Sequence, residues 1–358
     1  MSKLLRHFLN FRHCHRSFSQ RKDDSFAQCP ERVFSGIQPT GVPHLGNYVG
    51  AIRNWVRMQE RYDSILLSIV DLHSITVQQN PAELRENIQV MAACLIACGI
   101  NPDKTILFQQ SSVKEHAELC WILGCLCSLP RLEHLPQWRD KSKKVSDPKV
   151  GLYTYPILQS ADIMLYKSTV VPVGEDQLTH LELARDLARA FNRQYGTLFP
   201  ACNSYIGDVP KIRSLKDPSS KMSKSDNNAA SRIDLTDSSS TVRDKIAKAV
   251  TDAVSKDITF DPELRPGLSN LIDICSALTG KSSEDIVKLT QDKGMDKKTF
   301  KEFVTETVNE SIQPISSEMQ RILSDRGHLR SILKQGQERA SVLAEETIKH
   351  VKTLVGLS

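Results

Sequence analysis

The chain has 358 residues, of which 40% are hydrophobic and 25% charged, and its formal charge is +5. That is ordinary globular composition, and the length suggests two domains. No run of about eighteen apolar residues occurs, so no helix spans a membrane, and the modest positive charge is compatible with a polyanionic partner without identifying one. The nine cysteines form no paired C-x-x-C pattern. In a scattered, mostly apolar context they read as reduced core thiols.

The first segment, "MSKLLRHFLNFRHCHRSFSQRK", carries Lys3, Arg6, Arg12, Arg16, Arg21 and Lys22, with no acid before Asp23. Leu4, Leu5, Phe8 and Phe11 can share one helical face. An Arg-rich, acid-free, amphipathic start predicts a mitochondrial transit peptide over residues 1–31, and hence the matrix as location. A basic arm that touches nucleic acid is the alternative.

"RVFSGIQPTG" then reads as a short strand broken at Pro39-Thr40-Gly41, and "HLGNYVGAIRNWVRMQ" as a helix. "SILLSIVDLHSIT" is a buried strand, and "PAELRENIQVMAACLIACGI" an amphipathic helix with Pro81 near its start. "TILFQQSS" is another strand, "YPILQSADIMLY" a helix, "TVVPVG" a strand, and a long helix runs from Asp176 to about Tyr195. This alternation predicts an α/β fold built on a parallel sheet covered on both faces. Beyond Ile233 the strand signals fade. Helices are expected at Ser240–Ser255, Gly267–Leu278, Ser283–Gln291, Lys297–Leu323 and Gly327–Leu354, making an all-helical second domain.

Ligands of open α/β sheets bind beyond the carboxyl ends of the strands, and three polar clusters fall there. In "HLGN", Gly46 admits a bound group close to the backbone, and the helix start that follows suits a phosphate. His44 and Asn47 can add donors, although a plain helix start would look the same. In "GEDQ", Gly174 to Gln177, the acids either cap the next helix or accept from ribose hydroxyls. In "SSKMSKSDNN", Lys221 and Lys224 stand in a stretch with little to bury. Lysine ammonium groups suit pyrophosphate, so this loop is expected to gain its order from a nucleotide. "ALTGKSS" is not a P-loop, because its first glycine would fall at Cys275.

"HLGN" followed far downstream by "KMSKS" resembles the signature pair of the class I aminoacyl-tRNA synthetases. "FSGIQPTGVPHLGNYVGAI", "IVDLHSIT", "YPILQSADIMLY" and "VPVGEDQ" resemble the tryptophanyl-tRNA synthetases in their bacterial and mitochondrial form. The resemblance runs from about Arg32 to the C-terminus and is looser in the helical tail. Asn47 stands where many members of the class have a second histidine, and this branch commonly has asparagine there.

The resemblance implies a Rossmann-like catalytic domain at 32–232, with an inserted connective segment at about 76–149, and a helical anticodon-binding domain at 233–358. It implies ATP contacts by Gln38, His44, Leu45, Gly46, Asn47, Gly174, Glu175, Asp176, Ile212, Lys221, Met222, Ser223, Lys224 and Ser225. His44, Lys221, Lys224 and Lys141 would assist the chemistry. Asp162 would accept the indole N–H, with Tyr155, Gln159, His73, Val173 and Gln177 near it. Tryptophan, ATP with Mg²⁺ on its phosphates, the tryptophan tRNA and a second copy of the chain are the implied partners, with no membrane. A tyrosyl-tRNA synthetase is the alternative, because Tyr155, Gln159 and Asp162 also resemble a tyrosine-hydroxyl trio. A small-molecule nucleotidylyltransferase would leave "KMSKS" and the helical tail unexplained. A non-enzymatic RNA-binding descendant would be expected to have damaged ATP motifs.

Overall fold

The computed structural model describes residues 30–135, 147–207, 210–224, 226–252 and 257–358, so residues 1–29 of the predicted leader lie outside it. Five parallel strands form one sheet in the order β3–β2–β1–β4–β5. They are β1 (Arg32–Ile37), β2 (Ser64–Ile69), β3 (Thr105–Gln109), β4 (Val170–Pro172) and β5 (Asn203–Tyr205). Val33 pairs with Ile65 on one side and Val170 on the other. In β2, residues Ile65 to Ile69 are all buried, as expected of a strand covered on both faces. The strand order reverses beside β1, so the crevice for a ligand opens beyond the ends of β1 and β4.

The predicted helix after "HLGN" is a composite: α1 (Leu45–Asn47), a π-turn over Tyr48–Ile52, and α2 (Arg53–Met58). The helices α3 (Asp71–Ser74), α4 (Pro81–Ala97), α5 (Glu115–Gly124), α6 (Leu129–Glu133), α7 (Val150–Leu165) and α8 (Leu178–Tyr195) follow. Asn80 caps α4 by accepting from the N–H groups of Ala82 and Glu83, with Pro81 in the first turn where no N–H is missed. Four elements here were not read from the sequence: β5, α5, α6 and α3, the last lying in "DLHS", which was expected to continue the β2 strand but turns helical after Val70. The stretch expected as an insertion at 76–149 contributes β3 to the sheet, so much of it is integral to the sheet layer.

The tail holds α9 (Ser239–Ala247), α10 (Pro266–Thr279), α11 (Ser283–Asp292), α12 (Lys297–Ser324) and α13 (Arg326–Val355). The helix expected to reach Ser255 stops at Ala247 because its last carbonyls are taken by other groups. Lys301 Nζ donates to Ala247 and Ala249, Lys216 Nζ donates to Lys248, and the Val250 N–H turns to Leu215 O. Gly280, from the rejected P-loop, ends α10 in the left-handed conformation. Residues Glu31 to Ser358 form one compact unit. One of two core clusters runs from Val33, Ile65 and Leu107 of the sheet to Ile312 and Leu333 of the tail, and the other joins Phe34, Leu66 and Phe108 to Ala340 and Val351. The last strand ends at Tyr205, but the hydrophobic core runs on into the tail. Among the described residues no helix is long and apolar enough to cross a membrane.

Candidate active site

The chain leaves β1 through Gln38 and turns at Gly41, whose φ of +88° is strained for any residue with a Cβ. His44 then caps α1. Its Nδ1 accepts from the Asn47 N–H at 3.3 Å, and Asn47 Oδ1 accepts from the His44 N–H at 3.1 Å. This fixes the imidazole with Nδ1 as acceptor and leaves Nε2–H as a donor. Burial lowers the His44 ring to about 4, helped by the charges of Lys224, Arg232 and Lys221, so it is neutral at pH 7. A Cβ at Gly46 would lie 3.1 Å from the His44 ring.

The "KMSKS" segment closes a hairpin. The Met222 N–H bonds Ile212 O, the Ser214 N–H bonds Ser220 O, and Arg213 faces Lys221 in an antiparallel bridge. The two signature segments are then tied together twice. Lys224 Nζ donates to the carbonyls of Thr40 at 3.1 Å and Gly41 at 2.7 Å. Further on, the Leu45 N–H bonds Ile233 O and the Leu235 N–H bonds Pro43 O. Burial lowers the Lys224 ammonium to about 8, with the Asp234 carboxylate acting in the opposite sense. Lys221, Lys224 and Arg232 thus surround the His44 turn with positive charge, beside a helix start. That is a setting for phosphates.

After β4, Gly174 precedes a 3-10 turn over Glu175–Gln177, and all three of Gly174, Glu175 and Asp176 are exposed at the crevice. Asp176 accepts from Gln177 Nε2 at 2.9 Å, and Glu175 pairs with Lys211. Both acids remain at the surface, suited to hydroxyl ligands.

Asp162 lies on α7 and is 2% exposed. Its Oδ1 accepts from Gln110 Nε2 at 2.7 Å and His116 Nδ1 at 2.7 Å, and its Oδ2 accepts from His73 Nε2 at 2.8 Å. His116 Nε2 lies 2.8 Å from the Tyr166 hydroxyl. Burial alone would raise the Asp162 carboxyl, but the bonds from His116 and His73 outweigh it and hold the group well below the usual carboxylate range. The donors come from the segments after β2 and β3, the same end of the sheet as the nucleotide crevice.

Another buried imidazole, His180, collects the rest of the expected pocket. Its Nδ1 lies 2.8 Å from Gln159 Oε1 and 3.0 Å from Gln177 Oε1, and its Nε2 lies 3.4 Å from the Tyr155 hydroxyl. Tyr155 is raised to about 12 by burial, with the Asp176 carboxylate adding to the shift. Gln159 therefore does not pair with Asp162 or Tyr155, and the trio of Tyr155, Gln159 and Asp162 is split between two networks.

Of the expected residues, Gln38, His44, Gly46, Asn47, Lys221, Met222, Ser223 and Lys224 gather beyond β1, and Val173, Gly174, Glu175, Asp176 and Gln177 beyond β4. Ile212 and Met222 are buried in the core against each other's backbone. Leu45 is also a core residue, and its N–H is committed to Ile233. Lys141 and Ser225 lie outside the described residues. Sequence reading missed Arg232, Gln110, His116 and His180. The basic residues of the tail are partly committed: Lys297 to Asp252, Arg321 to Glu318 and Arg326 to Glu86.

A doubly wound sheet whose switch point carries a neutral histidine turn and a lysine hairpin defines a class I tRNA synthetase. The family described as tRNA synthetases class I (W and Y) matches residues 27–313, and the chain belongs to it. The tryptophan--tRNA ligase of Rickettsia conorii is 43% identical over 90% of this chain and 98% of its own length. That of Gloeobacter violaceus is 43% identical over 94% and 98%. The solved tryptophanyl-tRNA synthetase of Campylobacter jejuni, complexed with ADP and tryptophane, is 32% identical, with a TM-score of 0.79 over 91% of this chain and all of that one. Within the family, the chain belongs with the tryptophan--tRNA ligases. A tyrosyl-tRNA synthetase from Aeropyrum pernix, 19% identical with a TM-score of 0.63, shares the fold alone.

Proposed function

We propose that the chain is a mitochondrial tryptophan--tRNA ligase that charges the tryptophan tRNA. The observation that carries the enzymatic part is the meeting of the two signature segments at Lys224, Thr40 and Gly41. The tryptophan carboxylate attacks the α-phosphate of ATP; its oxygen bonds phosphorus as the bond to pyrophosphate breaks. The ribose hydroxyl at the tRNA 3′ end then takes the tryptophanyl group, and AMP leaves. No covalent enzyme intermediate is needed. The work is positioning and charge stabilisation. His44 offers a neutral Nε2–H to the phosphates, while Lys221 and Lys224 supply positive charge as negative charge builds on the leaving pyrophosphate. Among the described residues no group of three or more His, Cys, Asp or Glu side chains is placed to hold a metal. Mg²⁺ is best read as carried on the ATP phosphates, where it would offset their charge.

Asp162 supports tryptophan as substrate, because a buried acceptor tests for the indole N–H. The acid-free leader supports import, and the helical tail at 233–358 is read as the part that meets the anticodon. A homodimer is supported by the exposed apolar side chains Ile75, Trp121, Leu129 and Val150; Thr76 stands where a Cβ on Gly151 would meet it, and the Tyr153 hydroxyl bonds Leu129 O, so the segments of Ile75, Leu129 and Val150 lie around the start of α7. Amino-acid-dependent ATP–pyrophosphate exchange with all twenty amino acids tests the reading. Tryptophan alone should drive exchange, and preference for any other amino acid would overturn it. A leaderless chain that still reached the matrix would overturn the targeting part.

A further inference from the structure

The hairpin that carries Lys221 and Lys224 has an outer edge. Within the hairpin, the Met222 and Ser214 N–H groups bond inward to Ile212 and Ser220. The N–H and C=O of Arg213 therefore point away from the paired strand, as alternate residues of an antiparallel pair must. A single side chain receives both. Asn270 Oδ1 accepts from the Arg213 N–H at 2.8 Å, and Asn270 Nδ2 donates to Arg213 O at 3.1 Å. Asn270 is 2% exposed, so neither backbone group has water as a substitute. One carboxamide stands in for a third strand. An aspartate cannot donate at that position, and an apolar side chain can do neither.

Asn270 lies on α10, and the same helix touches the other arm of the nucleotide crevice. At its C-terminal end the carbonyls of Ala277 and Leu278 accept from Arg53 Nη1. Arg53 opens α2, the continuation of the "HLGN" stretch. It is largely desolvated, and burial lowers its guanidinium below the ordinary value. Helix α10 is thus bonded at one end to the lysine hairpin and at the other to the histidine turn. Its N-terminal half is also packed without clearance, since a Cβ at Gly267 would lie 2.2 Å from Val250 O.

We propose that Asn270 is a positioning residue for ATP activation, holding the lysine hairpin at a fixed distance from the histidine turn through α10. This rests on the reading that the hairpin receives the ATP phosphates. It places the hairpin's anchor on a helix of the tail, so whatever moves α10 changes the spacing between the two phosphate-binding arms.

The test uses the full chain with Asn270→Leu, which keeps the size and removes both bonds. Asn270→Ser, smaller and able to make one bond at a time, carries the same comparison if the leucine variant does not fold. ATP–pyrophosphate exchange should show kcat/KM for ATP reduced about tenfold or more, as expected when buried backbone groups lose their partners. The tryptophan dissociation constant, by equilibrium dialysis of labelled tryptophan, should stay within about twofold. Hydrogen exchange by mass spectrometry should quicken in residues 210–224 and not in β2. A variant that loses ATP and tryptophan affinity equally, or that leaves hairpin exchange unchanged, would overturn the proposal. If the wild type shows no pyrophosphate exchange at all, the functional reading fails, while hydrogen exchange still decides whether Asn270 clamps the hairpin.

Discussion

Lys224 and Gly41, 183 residues apart in sequence, are joined by a 2.7 Å bond from the ammonium to the carbonyl oxygen. The contact places a lysine at about 8 on the turn that admits phosphate, so its charge is set by pH near neutrality. Its folded value is lowered from the ordinary lysine value, so the charged form is lost as pH rises through about 8 in the free enzyme. Because kcat/KM reports free-enzyme groups, kcat/KM for ATP in pyrophosphate exchange should fall above about pH 8. Lys224→Arg, whose guanidinium stays charged, should remove that limb. No acidic limb should arise from His44 above about pH 4, since the neutral ring is the working form.

Lys224→Ala should slow adenylate formation by about 10²–10³, the usual effect of removing one well-placed group from a developing charge. Tryptophan binding should change little, because Asp162 and its donors belong to a separate network. Single-turnover adenylate kinetics measure the first quantity and equilibrium dialysis the second. A small rate effect would remove Lys224 from the chemistry.

Asp162→Ala should cost at least about 3 kcal/mol of stability, because His73, His116 and Gln110 are each left as buried donors at about 1–3 kcal/mol apiece. The Asp162 carboxyl is lowered in the folded state, so its contribution is full above the unfolded carboxylate value of about 4 and is lost as pH falls below it. Urea midpoints measured from pH 7 to pH 3 should therefore fall less steeply in the variant than in the wild type. The tryptophan KM should rise sharply, and phenylalanine should be rejected less well.

The strands β1 to β3, "HLGN" and "KMSKS" were legible because each is local: an apolar run, a glycine turn, a lysine loop. Arg232, Gln110, His116, His180 and Asn270 were not. Their roles depend on partners brought together by the sheet and by α10, and a lone His or Asn on a helix carries no sign of what it meets. β4, equally short, was read from the apolar run "TVVPVG", whereas β5 escaped because Asn203–Tyr205 is short and mostly polar and carries no apolar run. The end of α9 escaped because it is set by Lys301 and Lys216, residues that are not its sequence neighbours. The shared core of tail and sheet was invisible for the same reason, although Gly336 marks it.

Gly336→Ala tests that seam. A Cβ there would lie 1.8 Å from the Leu107 carbonyl oxygen of β3, a backbone atom that cannot swing aside. The variant should lose at least about 1–3 kcal/mol in urea unfolding, as overpacked cores do. Gly124→Ala, at a helix end where nothing lies within 4 Å, should be neutral or slightly stabilising.

Gln159→Met bears on the choice between tryptophan and tyrosine. Gln159 Oε1 accepts from His180 Nδ1 at 2.8 Å, but Gln177 Oε1 stands 3.0 Å from the same nitrogen. Removing Gln159 therefore leaves His180 an acceptor, and the ring keeps its tautomer. Asp162 is untouched, because its bonds come from Gln110, His116 and His73. The tryptophan KM of Gln159→Met should stay within about threefold of wild type, less than a full hydrogen bond is worth. His180→Leu should behave differently. It strips a shared partner from Gln159, Gln177 and Tyr155 at once, and the tryptophan KM should rise about tenfold or more. Were Gln159 a reader of a tyrosine hydroxyl, the ranking would invert: Gln159→Met would abolish exchange, and the wild type would activate tyrosine ahead of tryptophan. Steady-state exchange with both amino acids, on wild type and both variants, separates the two outcomes.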